Sequence, residues 1–417
     1  METNNIESFS YVFNLMADYN DLIAFRYKDK EYSYQTFRKQ VLYSIYHFNS
    51  YENKKVGIKI DDTYEFTCLY FAVVLSNNTA VLLTDESDTN ICDLIIDSSN
   101  KDEFLKEVKQ GTIKIRDNDS PATILFSSGT HGKPKGVMLS EKNLVSDTFS
   151  GKRMYNYDKG MTYLHLLPNT HAFGLVCDLF GPLFSGGTIC IMESKYDFYN
   201  SLVRFNPVSL NIVPALLPSL YECLKTFKYN LKKVISGGAG TDYNIIKKFY
   251  DIGVNVHACY GLTECSPCVS IAPEGKPLTH SSGKLLDCNK VIIIDGEICI
   301  EGTNVMIGYY GEEKLSGLYH TGDLGYLKDD EIYITGRIDE LIILDSGVKL
   351  SPQYIEQKVN EKGAIESLLK KIDDKIVLTI FSKNELDLSD INELSYIDKI
   401  VYSKEPLERT TTGKLVR

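Results

Sequence analysis

The run Ser127-Ser128-Gly129-Thr130-His131-Gly132-Lys133-Pro134-Lys135-Gly136 sits between two short apolar segments, Ala122 to Phe126 and Val137-Met138-Leu139. The pattern predicts strand, polar glycine-rich loop, strand, with Ser140 placed to cap a following helix. Such a loop suits a polyphosphate. Glycines let backbone N–H groups approach phosphate oxygens, hydroxyls add donors, and lysines supply positive charge. Its spacing does not fit Gly-x-x-x-x-Gly-Lys-Ser/Thr, so it is not a Walker A loop. A solvated surface loop of the same composition is the plain alternative, and the loop alone leaves it open.

Upstream, helical and strand patterns alternate. Ser33 precedes a period-3.6 set of Tyr34, Phe37, Val41 and Ile45, Lys55 to Ile60 is strand-like, and Asp62 caps a helix carrying Phe66 to Leu75. Ala80 to Leu83 and Ile91 to Ile96 are further short apolar runs. Alternation of this kind predicts an α/β sheet. Downstream come Leu166-Leu167-Pro168-Asn169-Thr170-His171-Ala172-Phe173-Gly174, a strand Lys233-Val234-Ile235 with the glycine turn Ser236 to Gly240, and a strand Val254 to His257 before Tyr260-Gly-Leu-Thr-Glu264. From about residue 290 the texture changes. Val291 to Ile294 and Glu297 to Ile300 flank Asp295-Gly296, a strong two-residue hairpin signal, and a small β subdomain is expected there.

The 417 residues exceed one ordinary core and predict two or more domains. A hydrophobic fraction of 43% and a charged fraction of 24% are those of a soluble globular chain. The net charge of −11, with no basic block, argues against a nucleic-acid partner. The first residues lack the basic and apolar parts of a signal peptide. The apolar stretch Phe66 to Leu83 is broken by Ser76-Asn77-Asn78-Thr79, so a buried helix followed by a strand is expected rather than a membrane span. The 10 cysteines are scattered, and a cytoplasmic chain with reduced thiols is expected. No second pair answers Cys265-Ser-Pro-Cys268, so neither zinc nor redox chemistry is assigned to it.

The phosphate loop, Tyr260-Gly-Leu-Thr-Glu264, His320-Thr-Gly-Asp323, Gly336-Arg-Ile-Asp339 and Thr412-Gly-Lys414 occur in that order. Gly296-Glu297 through Tyr309-Tyr310 and Lys349-Leu-Ser-Pro352 add to them. In this order the motifs resemble the adenylate-forming superfamily of acyl-CoA synthetases, adenylation domains and luciferases, most of all its bacterial fatty-acyl ligases. The resemblance implies a large N-terminal domain of α/β subdomains plus the small β subdomain (1–338) and a small mobile α+β C-terminal domain (339–417), hinged at Asp339. It implies two half-reactions. A carboxylate attacks the α-phosphate of ATP, giving acyl-AMP and pyrophosphate, and a thiol then takes the acyl group.

By this resemblance, Ser127, Ser128, Gly129, Thr130 and Lys135 hold the β- and γ-phosphates as the leaving group forms, with Thr130 among the catalytic groups. Glu264 ligates Mg²⁺, a hard cation that prefers oxygen, and Thr263 contacts the α-phosphate. Tyr260, with Gly261 beside it, and Gly238-Ala239 sandwich the adenine. Asp323 accepts from the ribose hydroxyls, and Arg337 lies near the ribose. Lys414 reaches the attacking carboxylate and the α-phosphate. His171 lines the passage between acid and thiol, with packed core as its alternative. His131, His257 and His320 are assigned no chemistry.

Amino-acid-activating members place an aspartate after the aromatic of the His171 segment. Here Gly174 follows Phe173, which disfavours an amino acid. Glu264-Cys-Ser-Pro267 and Pro214-Ala-Leu-Leu-Pro218, read as a pocket wall, point to an apolar or fatty acid. The acceptor is expected to be CoA or the phosphopantetheine of an acyl carrier protein. An adenylating enzyme serving an amine or hydroxyl, and a non-catalytic nucleotide binder, are the alternatives. The regions before the phosphate loop and after Asp339 are shorter than is usual in the family.

Overall fold

The computed structural model describes residues 7–117, 119–127, 134–194, 196–273 and 281–408. They fall into two compact units, one built from 7–273, 283–290 and 301–319, the other from 281–282, 291–300 and 320–408.

The first unit is α/β. One six-stranded sheet has the order Gly308–Tyr309, Gly136–Ser140, Pro121–Phe126, Thr79–Leu82, Lys55–Ile58, Leu94–Ile96. The four strands from Pro121–Phe126 to Leu94–Ile96 are parallel, Gly136–Ser140 runs antiparallel to the first of them, and the apolar runs of the central strands are buried. The helix Thr63–Leu75 explains the apolar stretch of the sequence: every residue but Glu65 is buried, and Asp62 caps it by accepting from Glu65 N–H. It is a core helix. No helix among the described residues is long and apolar enough to cross a membrane. Phe180 and Phe184 stack at 5.0 Å, and Phe9 packs edge-on against both of them and against Tyr70 and Phe71.

Pro121–Phe126, the strand that enters the phosphate loop, is anchored by a buried ion pair. Arg116 donates to the carbonyls of Asn78 and Pro121, and its Nε lies 3.6 Å from Glu141 Oε1. Glu141 in turn accepts from Phe9 N–H at 3.0 Å. Removing one partner of such a pair strands a buried charge, so Arg116→Ala is expected to cost about 3–5 kcal/mol in urea unfolding. A loss under about 1 kcal/mol would mark the pair as dispensable.

A second sheet in this unit runs Lys284–Leu285, Cys268–Ile271, Asn255–Gly261, Lys233–Ser236, Ser209–Ile212, Thr162–His165, Thr188–Ile191, Ile23–Tyr27, Lys30–Ser33. Its central strands are parallel. The strand expected at 254–257 continues to Gly261, because Cys259 and Tyr260 find antiparallel partners in Ile271 and Ser270.

The second unit holds the predicted β hairpin. Asp295 (φ 51°) and Gly296 (φ 84°) both take positive φ, the conformation a tight two-residue turn requires. Tyr319–Lys328 and Glu331–Arg337 form an antiparallel pair beside it. Helix Pro352–Glu361 then packs on the mixed sheet Glu366–Ile372, Lys375–Phe381, Lys399–Ser403.

Candidate active site

In the first unit the phosphate loop leaves and rejoins adjacent antiparallel strands, with Phe126 opposite Gly136. Ser127 N–H donates to Lys135 C=O at 3.0 Å and closes the loop's neck. Ser128, Gly129 and Thr130 lie outside the described residues. Lys135 Nζ contacts Glu312 at 3.0 Å and stands 4.6 Å from the Tyr309 ring centroid. The helix after the loop starts at Ser140 as expected. Its hydroxyl accepts from Asn143 N–H while the Asn143 side chain accepts from Ser140 N–H, a reciprocal cap.

Lys233–Ser236 and Asn255–Gly261 are parallel neighbours, with Ser236 opposite Ala258. The exposed turn of Gly238 and Ala239 and the side chain of Tyr260 therefore flank the carboxyl ends of adjacent strands, where open α/β sheets bind ligands. Gly238 has φ 84°, which a glycine adopts freely. Gly261 is required for a different reason. A Cβ there would meet Pro267 C=O at 1.9 Å, and Leu262 N–H donates to that same carbonyl at 2.8 Å. This turn sets up the single helical turn Thr263–Cys265.

Glu264 Oε1 accepts from Tyr309 OH at 2.8 Å, and the Glu264 carbonyl accepts from Met306 N–H at 2.8 Å. Burial first, and then the Glu264 charge, push the Tyr309 phenol up to about 12, so it stays a donor at neutral pH. A half-buried carboxylate fixed from one side by a phenol is a hard oxygen donor, and it fits a magnesium ion.

His171 begins the helical segment after a turn in which its N–H donates to Pro168 C=O. Its side chain is exposed, yet desolvation by the surrounding chain lowers the imidazole pKa, which keeps the ring neutral at pH 7. The segment is held by a residue that sequence reasoning missed. Asp178, 1% exposed, accepts from Leu166 N–H and Leu167 N–H at 2.8 and 2.9 Å and from Asn211 at 3.1 Å, and lies 3.0 Å from His165 Nδ1. No local pattern marks it, because all its partners come from other elements. Gly174 has a packing reason of its own: a Cβ there would meet Pro168 C=O at 2.1 Å.

Phe173, Gly237 and Cys259 pack together. A Cβ at Gly237 would meet Cys259 Sγ at 2.4 Å and the Phe173 ring at 3.2 Å. The His171 segment, the glycine turn and the Tyr260 strand therefore converge. Close to Phe173 a small cavity is lined by Tyr155, Tyr157, Val176, Ile235 and Ile271, with Asp147 on its wall. In the 214–218 segment, Leu217 belongs to the core while Ala215 and Leu216 are exposed.

Asp147, 1% exposed, accepts from Asn304 Nδ2 at 3.1 Å and Cys268 N–H at 3.2 Å. Burial above all, reinforced by Cys268, pushes its carboxyl well above the usual range. A raised pKa means the folded chain loses stability as pH climbs from the unfolded value of about 3.9 toward the folded one. Asp147→Asn keeps the shape and an acceptor. Its Tm advantage over the parent should grow as the pH rises above about 4. A difference that is flat with pH would show that Asp147 is not destabilised by ionising.

In the second unit the register places Asp323 opposite Arg337. Arg337 Nη1 donates to Asp323 Oδ1 at 2.7 Å and its Nε to Asp339 Oδ1 at 2.9 Å, so one guanidinium bridges both acids. Burial alone would lower the Arg337 pKa, but hydrogen bonds and charge from Asp339 and Asp323 outweigh it and raise it. Gly322, with φ 73°, lets Arg337 Nη2 approach to where a Cβ would be 3.2 Å away. The predicted ribose residues are thus brought together as an ion pair. Asp339 sits in the helical turn Ile338–Glu340, and Leu344 to Lys349 forms a tight hairpin end closed by Leu344 N–H to Val348 C=O. Lys414 lies outside the described residues.

Residues 79–310 match the family model described as AMP-binding enzyme. The chain is 34% identical over 266 residues to "Probable 4-coumarate--CoA ligase 2" of Dictyostelium discoideum, covering 56% of this chain and 48% of the relative. It is 29% identical over 314 residues to the 2-succinylbenzoate--CoA ligase of Bacillus subtilis, covering 69% of this chain and 64% of the relative. It spans about half to two thirds of these curated relatives. The solved O-succinylbenzoate coenzyme A synthetase of Bacillus subtilis, in complex with ATP and magnesium ion, superposes with a TM-score of 0.78 at 20% identity, over 96% of this chain and 98% of that one. The fold is shared over nearly the whole length of both. With more than half of its residues matched by the family model, the chain belongs to the AMP-binding enzyme family and thereby to the adenylate-forming superfamily.

Proposed function

We propose that this protein is an ATP-dependent acid–thiol ligase that forms an acyl-AMP and pyrophosphate and then a thioester. The observation that carries the reading is the convergence at one sheet end. Gly238-Ala239 and Tyr260 flank two adjacent strand termini, and three residues beyond Gly261 stands a carboxylate fixed by Tyr309. In this reading Tyr260 and Gly238-Ala239 hold adenine, Asp323 and Arg337 the ribose, and Ser127 to Lys135 with Thr263 the phosphates. Glu264 would hold Mg²⁺, which neutralises phosphate charge when bound. The solved relative named with ATP and magnesium supports both ligands.

The two half-reactions make opposite demands on Lys414, which serves adenylation but would stand in the thiol's route. A hinge at Asp339, between 1–338 and 339–417, resolves the conflict by moving the small domain. The thiol acceptor is CoA in this reading, as the relatives' names suggest. The acid is apolar. An aromatic carboxylic acid is favoured over a fatty one, since the relatives are named for 4-coumarate and 2-succinylbenzoate. Gly174 and the fully engaged Asp178 offer no carboxylate for an ammonium group.

The test supplies ATP, Mg²⁺ and one accepted acid, then CoA, carrier-protein phosphopantetheine or hydroxylamine in parallel. The expected result is thioester with CoA at the fastest rate. Product with hydroxylamine alone would overturn the thiol assignment while leaving adenylation intact.

A further inference from the structure

The small β subdomain carries a cluster of soft and hard donors that the adenylation reading does not use. Side chains alternate along strand Glu297–Gly302, so Glu297 and Cys299 share a face. The neighbouring strand Tyr319–Lys328 brings His320 to it. His320 Nδ1 lies 2.9 Å from Glu297 Oε2 and 3.4 Å from Cys299 Sγ. The three donor atoms all lie within 4.8 Å of one another. The other Glu297 oxygen accepts from Gly322 N–H at 2.9 Å, which fixes the carboxylate. Thr321 Oγ1 donates to Ile298 C=O at 2.7 Å and ties the two strands beside the cluster.

Nδ1 meets the Glu297 carboxylate and the Cys299 sulfur at the same place. A protonated Nδ1 can serve both as a donor, with the Cys299 thiol turned to Glu297 C=O at 3.9 Å. A cation among the three would engage the same three atoms as ligands. Tetrahedral zinc, with Zn–N and Zn–O of about 2.0 Å and Zn–S of about 2.3 Å, places N and O about 3.3 Å apart and N and S about 3.5 Å apart. The observed 3.4 Å matches the N–S edge, while the 2.9 Å between N and O is about 0.4 Å shorter than the N–O edge and would have to open on metal binding. A mixed sulfur, nitrogen and oxygen set suits zinc-class ions and not magnesium or calcium, which take oxygen. The held Glu297 carboxylate and the inter-strand tie are the supporting contacts a metal site needs to orient its ligands.

We propose that Glu297, Cys299 and His320 form a divalent-metal site of the zinc class, with a fourth position for water, distinct from Glu264. His320 directly precedes Thr321-Gly322-Asp323. The ion would therefore pin the turn that presents Asp323 to strand Glu297–Gly302.

The test is titration of the reduced full chain with Co²⁺ alone, followed by absorbance, then by displacement with Zn²⁺. One equivalent should give a thiolate-to-cobalt charge-transfer band in the near ultraviolet, which Zn²⁺ removes. Cys299→Ser should abolish that band, although nine other cysteines remain. His320→Asn, at a side chain 57% exposed and so harmless to folding, should weaken Co²⁺ binding by at least about tenfold. Absence of the band in the parent would overturn the site. So would equal binding by the parent and His320→Asn, which would leave Glu297 and His320 as an ion pair only.

Discussion

Glu264→Gln is expected to slow acid-dependent ATP–pyrophosphate exchange by about 10²–10³-fold at saturating magnesium, the scale of removing one stabilising group from a charged transition state. Glutamine keeps an oxygen to accept from Tyr309 OH, which now stands 2.8 Å from the carboxylate. The turn from Gly261 to Pro267 is closed by backbone contacts that the change leaves alone. Thermal unfolding should therefore move little, and the loss would report charge at the metal position. Exchange within about threefold of the parent would remove Glu264 from the metal site.

Lys414→Ala separates the two half-reactions. Its role rests on the resemblance at Thr412-Gly-Lys414, in a segment outside the described residues. A cation that bridges the attacking carboxylate and the α-phosphate matters only while the acyl–phosphate bond forms. The variant should lose acyl-AMP formation by about 10²–10³-fold. Thioester formation from supplied acyl-AMP should remain within a few-fold, because that step needs the small domain turned away. Equal loss in both steps would contradict the division of labour and the hinge at Asp339 with it.

Local signals were easy to read. Ser33, Asp62 and Ser140 each precede an apolar periodic run, and each caps the expected helix through its side-chain oxygen. Asp295-Gly296 made the hairpin it advertises. The α/β class followed from strands and helices that alternate within a few residues. Contacts across long separations were not legible. Tyr309 could be seen as a motif tyrosine, but nothing near it in sequence shows that it holds Glu264, 45 residues away. Asp178 has an apolar neighbourhood and reads as an oddity in a greasy segment. Only the fold brings Leu166, Leu167 and Asn211 to it. The same holds for Cys299 and His320, which nothing in the sequence joins until strand pairing sets them 3.4 Å apart. Gly174 was read as a statement about substrate. The structure adds that no side chain fits against Pro168 there.

The most direct test of the adenylation account is ATP–[³²P]pyrophosphate exchange by the full chain across a panel of aromatic, aliphatic and amino acids, without CoA. Label should enter ATP only with carboxylic acids of one apolar class, and that signal should fall away in Glu264→Gln. Folded protein that binds ATP yet shows no acid-dependent exchange with any member of the panel would contradict it.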